Sequence, residues 1–151
     1  MAEVKRQQQQ LDATFKRAGG IDADPELLSD FARYLCVLVS GFLEQAVIEI
    51  LLEYARLHSD ERIQLNIERR LRRLTNVKAN RLLETVGSFD KDWYHSLEPI
   101  LVDQNKAALD SIVALRNKIA HGQYVDITLN RVSDYYHCIK VVVDEVARIC
   151  V

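Results

Sequence analysis

The sequence has few of the residues that tight turns, disulfide frameworks and zinc sites require. Its 151 residues include five glycines and two prolines, and nearly every apolar stretch recurs at helical spacing, so we predict an all-α fold. Cys36, Cys138 and Cys150 are odd in number and lack a Cys-x-x-Cys spacing, which argues against disulfide pairing and structural zinc. We expect reduced thiols in a cytoplasmic protein.

Targeting and cofactor signals are also missing. The first ten residues, MAEVKRQQQQ, lack the apolar segment of a signal peptide, and we see no run near the ~18 apolar residues of a membrane span, so we expect no membrane association. There is no glycine-rich phosphate loop, and His58, His95 and His137 have no histidine three or four residues away. We therefore expect no metal and no other cofactor.

The residues that are present are those of a globular helical domain, with 48% hydrophobic and 28% charged. We expect one domain, residues 1–151, with about five to seven helices, one long central pair, and the helix within residues 1–20 at the periphery. The predicted helices cover residues 3–18, a long helix from Asp24-Pro25, a helix from Ser59-Asp60, a short piece closed by Gly87, residues 90–97, residues 103–120, and a last helix after Thr128.

The long helix carries two apolar stripes, which predict burial on more than one side. Ser40-Gly41 lies in its middle, where glycine costs ~1 kcal/mol relative to alanine. We therefore expect a close contact with another helix or a kink at this point.

The segment LRNKIAHG, residues 115–122, combines an arginine in an apolar register with a histidine followed by glycine. Spacing alone has little weight, because chance supplies an arginine–histidine pair at this separation about 0.34 times in such a sequence. However, Arg116 shares its helical register with Leu109 and Val113, so we predict a core-facing position. An unpaired guanidinium there is costly and must find a carboxylate or a substrate phosphate.

The same segment predicts how its helix ends. Gly122 is expected to adopt the left-handed conformation that commonly terminates a helix. An ideal helix separates Arg116 and His121 by roughly 140° and ~7.5 Å of rise, so we expect the helix end to let His121 turn toward Arg116. Alternatively, His121 only complements the negative end of the helix dipole.

The stretch ALRNKIAHG resembles the signature of HEPN domains, in which an arginine, often followed by asparagine, precedes a histidine by four to six residues. Its form Arg-Asn-x-x-Ala-His-Gly after LDSIVAL most resembles the RiboL-PSP branch. As a pattern, the resemblance covers most of the chain: a long early helix containing VSGFLE, the motif helix, and a final amphipathic helix.

This resemblance implies a metal-independent endoribonuclease, a toxin or effector of a toxin–antitoxin or antiviral defence system, acting as a homodimer with two motifs in one cleft. Carried over, Arg116 and His121 are catalytic, Asn117 is a positioning residue, and Glu44 matches an acidic position on the early helix. RNA would be cleaved by its own 2′-hydroxyl to give 2′,3′-cyclic phosphate ends. Tyr124 stands at His-x-x-Tyr rather than the His-x-Tyr of one HEPN branch, so that tyrosine's role is not carried over.

Two other functions stay open. A catalytically silent HEPN-like helical module would bind RNA or a partner protein, and a bundle used only for assembly would make Arg116 a buried salt-bridge residue. The intact Arg–Asn–His set favours the enzyme.

Residues 62–81 hold seven basic residues and one acid in a chain of net charge −2. Arg62, Arg69 and Arg73 cluster opposite the apolar stripe of their helix, where we expect contact with RNA phosphates. A solvated helix face and a docking site for an acidic partner such as an antitoxin are the alternatives, because no aromatic residue for base stacking lies between Arg62 and Arg81.

Overall fold

The computed structural model describes all of residues 1–151 and contains seven helices and no strand, which confirms the predicted all-α fold. The helices are α1 (Ala2–Gly19), α2 (Pro25–His58), α3 (Glu61–Leu71), α4 (Ala79–Gly87), α5 (Lys91–Leu97), α6 (Asp103–Ala120) and α7 (Leu129–Ile149).

Three of these helices begin at capping residues that the sequence predicts. The Asp24 carboxylate accepts a hydrogen bond from the backbone N–H of Leu27 at 2.8 Å, and proline follows at the first helical position. The Asp60 carboxylate accepts from backbone N–H groups in the first turn of α3, and the Thr128 hydroxyl accepts from a backbone N–H group in the first turn of α7. Local chemistry therefore determines where these helices start.

The two longest helices, α2 and α7, form the predicted central pair, and α2 also packs against α1, α3 and α6. The core comprises 35 buried residues, and α2 contributes to it from several sides through residues such as Leu35, Leu43 and Leu51. Burial on more than one side of this helix is thus confirmed.

Helix α1 lies against α2 and α7 and buries Val4 and Leu11. Its Asp12 carboxylate accepts hydrogen bonds from the Tyr136 hydroxyl at 2.6 Å and from the Lys140 ammonium at 3.0 Å. The helix expected at the periphery is therefore attached to α7 by both apolar and charged contacts.

Helix α2 is more apolar than the lack of a long uninterrupted apolar run indicated. An 18-residue window within α2 has a mean hydropathy of 2.0, so this helix is long and apolar enough to cross a membrane. In this structure 56% of the window is buried inside the protein. The core helix of a globular bundle can have the same length and hydropathy, so these two properties are weak evidence for a membrane span.

The expected close contact at Gly41 does not form within the chain. Gly41 is exposed, and a Cβ atom built there would meet no other atom within 4 Å. It lies on a solvent-facing side of α2 together with Leu27, Tyr34 and Val37, which are 54%, 54% and 40% exposed. We call these four residues the α2 strip.

Candidate functional site

The motif helix α6 ends with a hydrogen-bond pattern that requires glycine. Gly122 has a φ of 73°, its N–H donates to the Ile119 carbonyl at 3.0 Å, and the N–H of Gln123 donates to the Lys118 carbonyl at 2.9 Å. This is a Schellman motif, whose left-handed residue strongly favours glycine. The predicted conformation of Gly122 is confirmed.

The loop after the motif is held against α2 by Arg33. Its guanidinium donates to the Val125 carbonyl at 3.1 Å and lies 5.2 Å from the centre of the Tyr124 ring. Val125 and Ile127 are buried in the core. Sequence analysis missed Arg33, because nothing local to it indicates a partner 92 residues away.

The predicted core-facing position of Arg116 is wrong. Leu109 and Val113 in the same register are 0% and 2% exposed, but Arg116 and Ala120 are exposed because no other part of the chain covers this side of the last two turns of α6. Arg116 also forms no ion pair, so it is not a buried salt-bridge residue either. Its guanidinium faces solvent.

Asn76, Asn117 and Arg116 form a hydrogen-bonded array. Arg116 donates through Nη1 to Oδ1 of Asn117 at 3.4 Å, and Asn117 donates through Nδ2 to Oδ1 of Asn76 at 2.8 Å. Because a guanidinium can only donate, the Asn117 oxygen must face Arg116, and its amide nitrogen is left for Asn76. The bond to Arg116 is long and therefore weak, so most donors of this guanidinium stay free.

The linker that carries Asn76 is attached to the motif helix at a second point. The backbone N–H of Ala79 donates to the Asp110 carboxylate of α6 at 2.9 Å, which supplies the cap that α4 lacks locally. Leu74 and Val77 bury the linker on the core. Sequence analysis missed Asn76, which has a φ of 54°; the tolerance of asparagine for this conformation was the only available signal.

Glu44 lies half-buried on α2 near Arg116. Burial raises the pKa of the Glu44 carboxyl above its ordinary value, while the positive charge of Arg116 acts in the opposite direction. The two groups form no direct ion pair, so Arg116 acts on Glu44 only through its electrostatic field. Two of the residues carried over from the resemblance, on different helices, are brought together here.

His121 stands apart from this group. Its backbone N–H donates to the Asn117 carbonyl at 3.1 Å, but its exposed side chain makes no hydrogen bond or ion pair, either to Arg116 or to any other residue. Within one chain, Arg116, Asn117 and Glu44 come together, and the predicted turn of His121 toward Arg116 produces no contact. No three acidic, histidine or cysteine side chains converge anywhere in the chain.

The arginines predicted to contact RNA divide into two groups. Arg62, Arg69 and Arg73 are all exposed, but among them only Arg73 lines the groove between α3 and α4. Arg70 and Arg81, which the prediction did not single out, line the same groove. Their positions around a single predicted helix could not indicate this, because the groove forms only where α4 packs beside α3.

The seven-helix bundle with its long central pair defines the class as an all-α helical domain. The sequence profile of the RiboL-PSP-HEPN family matches residues 2–151, and the chain belongs to that family. No curated protein and no solved structure matches the chain. Ribonucleases occur within the HEPN superfamily.

The electrostatic contact between Glu44 and Arg116 predicts a measurable shift. Removing the guanidinium in Arg116→Met should raise the pKa of Glu44 further, because the influence that lowers it is lost while the burial stays. The side-chain carboxyl resonance of Glu44, followed by NMR during a pH titration, gives this value. His121→Ala is the matched control and should leave it unchanged; an unchanged Glu44 pKa in Arg116→Met would show that the two groups do not interact.

The left-handed conformation of Asn76 predicts an order of stability. Asn76→Ala and Asn76→Gly both remove the acceptor for Asn117, but only alanine is strained at a φ of 54°. We expect Asn76→Ala to be about 1 kcal/mol less stable than Asn76→Gly in urea denaturation. If the alanine variant were the more stable one, residue 76 would not hold this conformation in solution.

Proposed function

We propose that this protein is a metal-independent endoribonuclease. The observation that carries the proposal is that the Arg116 guanidinium and the His121 imidazole are both exposed and free of ion pairs, at the end of one helix. The donors of an unpaired guanidinium are available to a phosphate, and an exposed imidazole can exchange protons with a bound substrate. The membership in a superfamily that includes ribonucleases supports the same function.

The chemistry uses the nucleophile that RNA itself provides. The 2′-hydroxyl oxygen attacks the neighbouring phosphorus while its proton passes to a base, and the bond from phosphorus to the 5′-oxygen breaks as that oxygen gains a proton. Histidine accepts and donates protons near neutral pH, which suits His121 to either transfer. Arg116 stabilises the negative charge on the phosphorane, and the products are a 2′,3′-cyclic phosphate and a 5′-hydroxyl.

Asn117 and Glu44 act as positioning residues in this proposal. Asn117 contacts the guanidinium and is itself held by Asn76. Glu44 places a carboxyl near Arg116 without pairing with it directly, so the phosphate-binding donors of Arg116 are not occupied.

We also propose that the active unit is a homodimer whose cleft combines two motifs. No hydrogen bond joins the Arg116 and His121 side chains within one chain, and a second copy would bring an arginine and a histidine to one phosphate from opposite sides. The α2 strip supports this arrangement, since it exposes apolar side chains on the helix that carries Glu44. At Gly41 the lack of a side chain allows another backbone to approach closely.

A wider role as a toxin or effector of a toxin–antitoxin or antiviral defence system, with a cognate partner protein, is proposed from the family resemblance alone. We propose a cytoplasmic location because the three cysteines are unpaired and 56% of the apolar α2 window is buried inside the protein.

The ribonuclease proposal predicts cleavage of total RNA or tRNA in the presence of EDTA. Arg116→Ala and His121→Ala should each lower the rate by at least about a hundredfold, because each removes a group acting in the transition state. New 5′-hydroxyl ends, detected by labelling with polynucleotide kinase without prior dephosphorylation, measure the reaction.

The chain offers a matched control for that experiment. Arg131 and His137 form a second arginine–histidine pair, both exposed on α7, and their alanine variants should cleave like the wild type. Full activity in His121→Ala would contradict the mechanism, and an inactive wild-type protein that still bound RNA would favour the silent binding module.

The dimer proposal predicts that an inactive subunit interferes with an active one. Co-expressing wild type with an excess of His121→Ala should lower the activity per wild-type chain, because most wild-type chains are then paired with a variant chain in a dimer that has a single His121. Unchanged activity per wild-type chain, together with a monomeric mass by light scattering, would contradict the composite cleft.

A further inference from the structure

A second basic surface lies outside the motif. The groove between α3 and α4 has a volume of about 630 Å³ and is lined by Arg70, Arg73 and Arg81, with Leu74 and Phe89 among its apolar residues. Glu84 is its one carboxylate, so the lining charge is positive.

The three groove arginines have no ion-pair partner. The neighbouring Arg72, in contrast, pairs with Glu68 at 2.6 Å and does not line the groove. The hydroxyls of Thr85 and Ser88 donate to backbone carbonyls of their own helix, so the free donors in the groove are the guanidiniums. A guanidinium can donate several hydrogen bonds but accept none, so the complementary ligand carries anionic oxygens, as a phosphate does.

The groove is connected to the motif through the linker. Arg73 precedes Asn76 by three residues, so their Cα atoms lie within about 10 Å of each other. Asn76 contacts Asn117, which in turn contacts Arg116. A chain of phosphates that reached Arg116 would therefore meet the guanidiniums of the groove a short distance away.

We propose that the α3–α4 groove binds the backbone phosphates of the RNA strand whose scissile phosphate lies at Arg116. The identity of this ligand as RNA rests on the proposed ribonuclease function. The groove holds the strand next to the cleavage point by charge, and its contacts are independent of base sequence. An acidic protein segment is the competing ligand, and the connection of the groove to the motif favours RNA.

The test uses an RNA oligonucleotide with 2′-O-methyl groups, which lacks the nucleophile and cannot be cleaved. Binding is measured by fluorescence anisotropy at several salt concentrations for wild type and two double variants. Arg70→Ala with Arg81→Ala removes two groove charges, and Arg62→Ala with Arg69→Ala removes two charges of α3 that do not line the groove. All four side chains are exposed, so both variants should keep the helical circular dichroism of the wild type.

We expect the groove variant to bind roughly tenfold more weakly. The slope of log binding constant against log salt concentration should become less negative by about 1.4, which corresponds to two lost phosphate contacts. The control variant should stay close to wild type in both values, because the proposal replaces the sequence-based expectation that Arg62 and Arg69 contact RNA. Equal losses in the two variants would overturn the groove as the site and indicate a diffuse charge effect. Failure of the wild type to bind this RNA would also overturn it.

The acidic-protein alternative has its own outcome. A decaglutamate peptide that bound as tightly as the RNA, and lost affinity in the same variant, would overturn RNA as the ligand. Because the oligonucleotide is not cleaved, its binding tests the groove separately from catalysis. Binding that depends on the groove without cleavage would contradict only the ribonuclease proposal, and cleavage without such binding would contradict only the groove proposal.

Discussion

The burial of α2 against α1, α6 and α7 is the constraint on which the candidate site depends. This helix carries Glu44, which lies near Arg116, and Arg33, which holds the loop after Gly122. The motif therefore lies along α2, and a shift of α6 relative to α2 would change both the Arg33 hydrogen bond and the electrostatic influence of Arg116 on Glu44.

Two further polar contacts attach the basic segment to the motif helix. Asn117 bonds to Asn76, and Asp110 caps the first turn of α4. Both contacts are made by short side chains, which lose little conformational freedom when they are ordered. As a result, the groove arginines and Arg116 are carried on one connected piece of structure rather than on a free loop.

The Arg116 and His121 side chains have no ion-pair partner within the chain, and this bears on the function of the exposed surface. The Arg116 guanidinium has no ion pair, and α2, the helix that carries Glu44, exposes Tyr34 and Val37. An anionic substrate would satisfy the charge, and a second subunit would cover the apolar side chains. The proposed dimer and the proposed phosphate chemistry thus account for the same surface.

The sequence by itself determined the features that depend on neighbouring residues. The caps at Asp24 and Thr128, the left-handed Gly122 and the seven helices were all predictable, because each rests on hydrogen bonds or periodicity within a few residues. Only the tertiary structure decided the exposure of Arg116, where helical register predicted burial, since burial depends on which helix covers that turn. The partnership of Asn76 with Asn117 was decided in the same way, because it joins residues 41 positions apart.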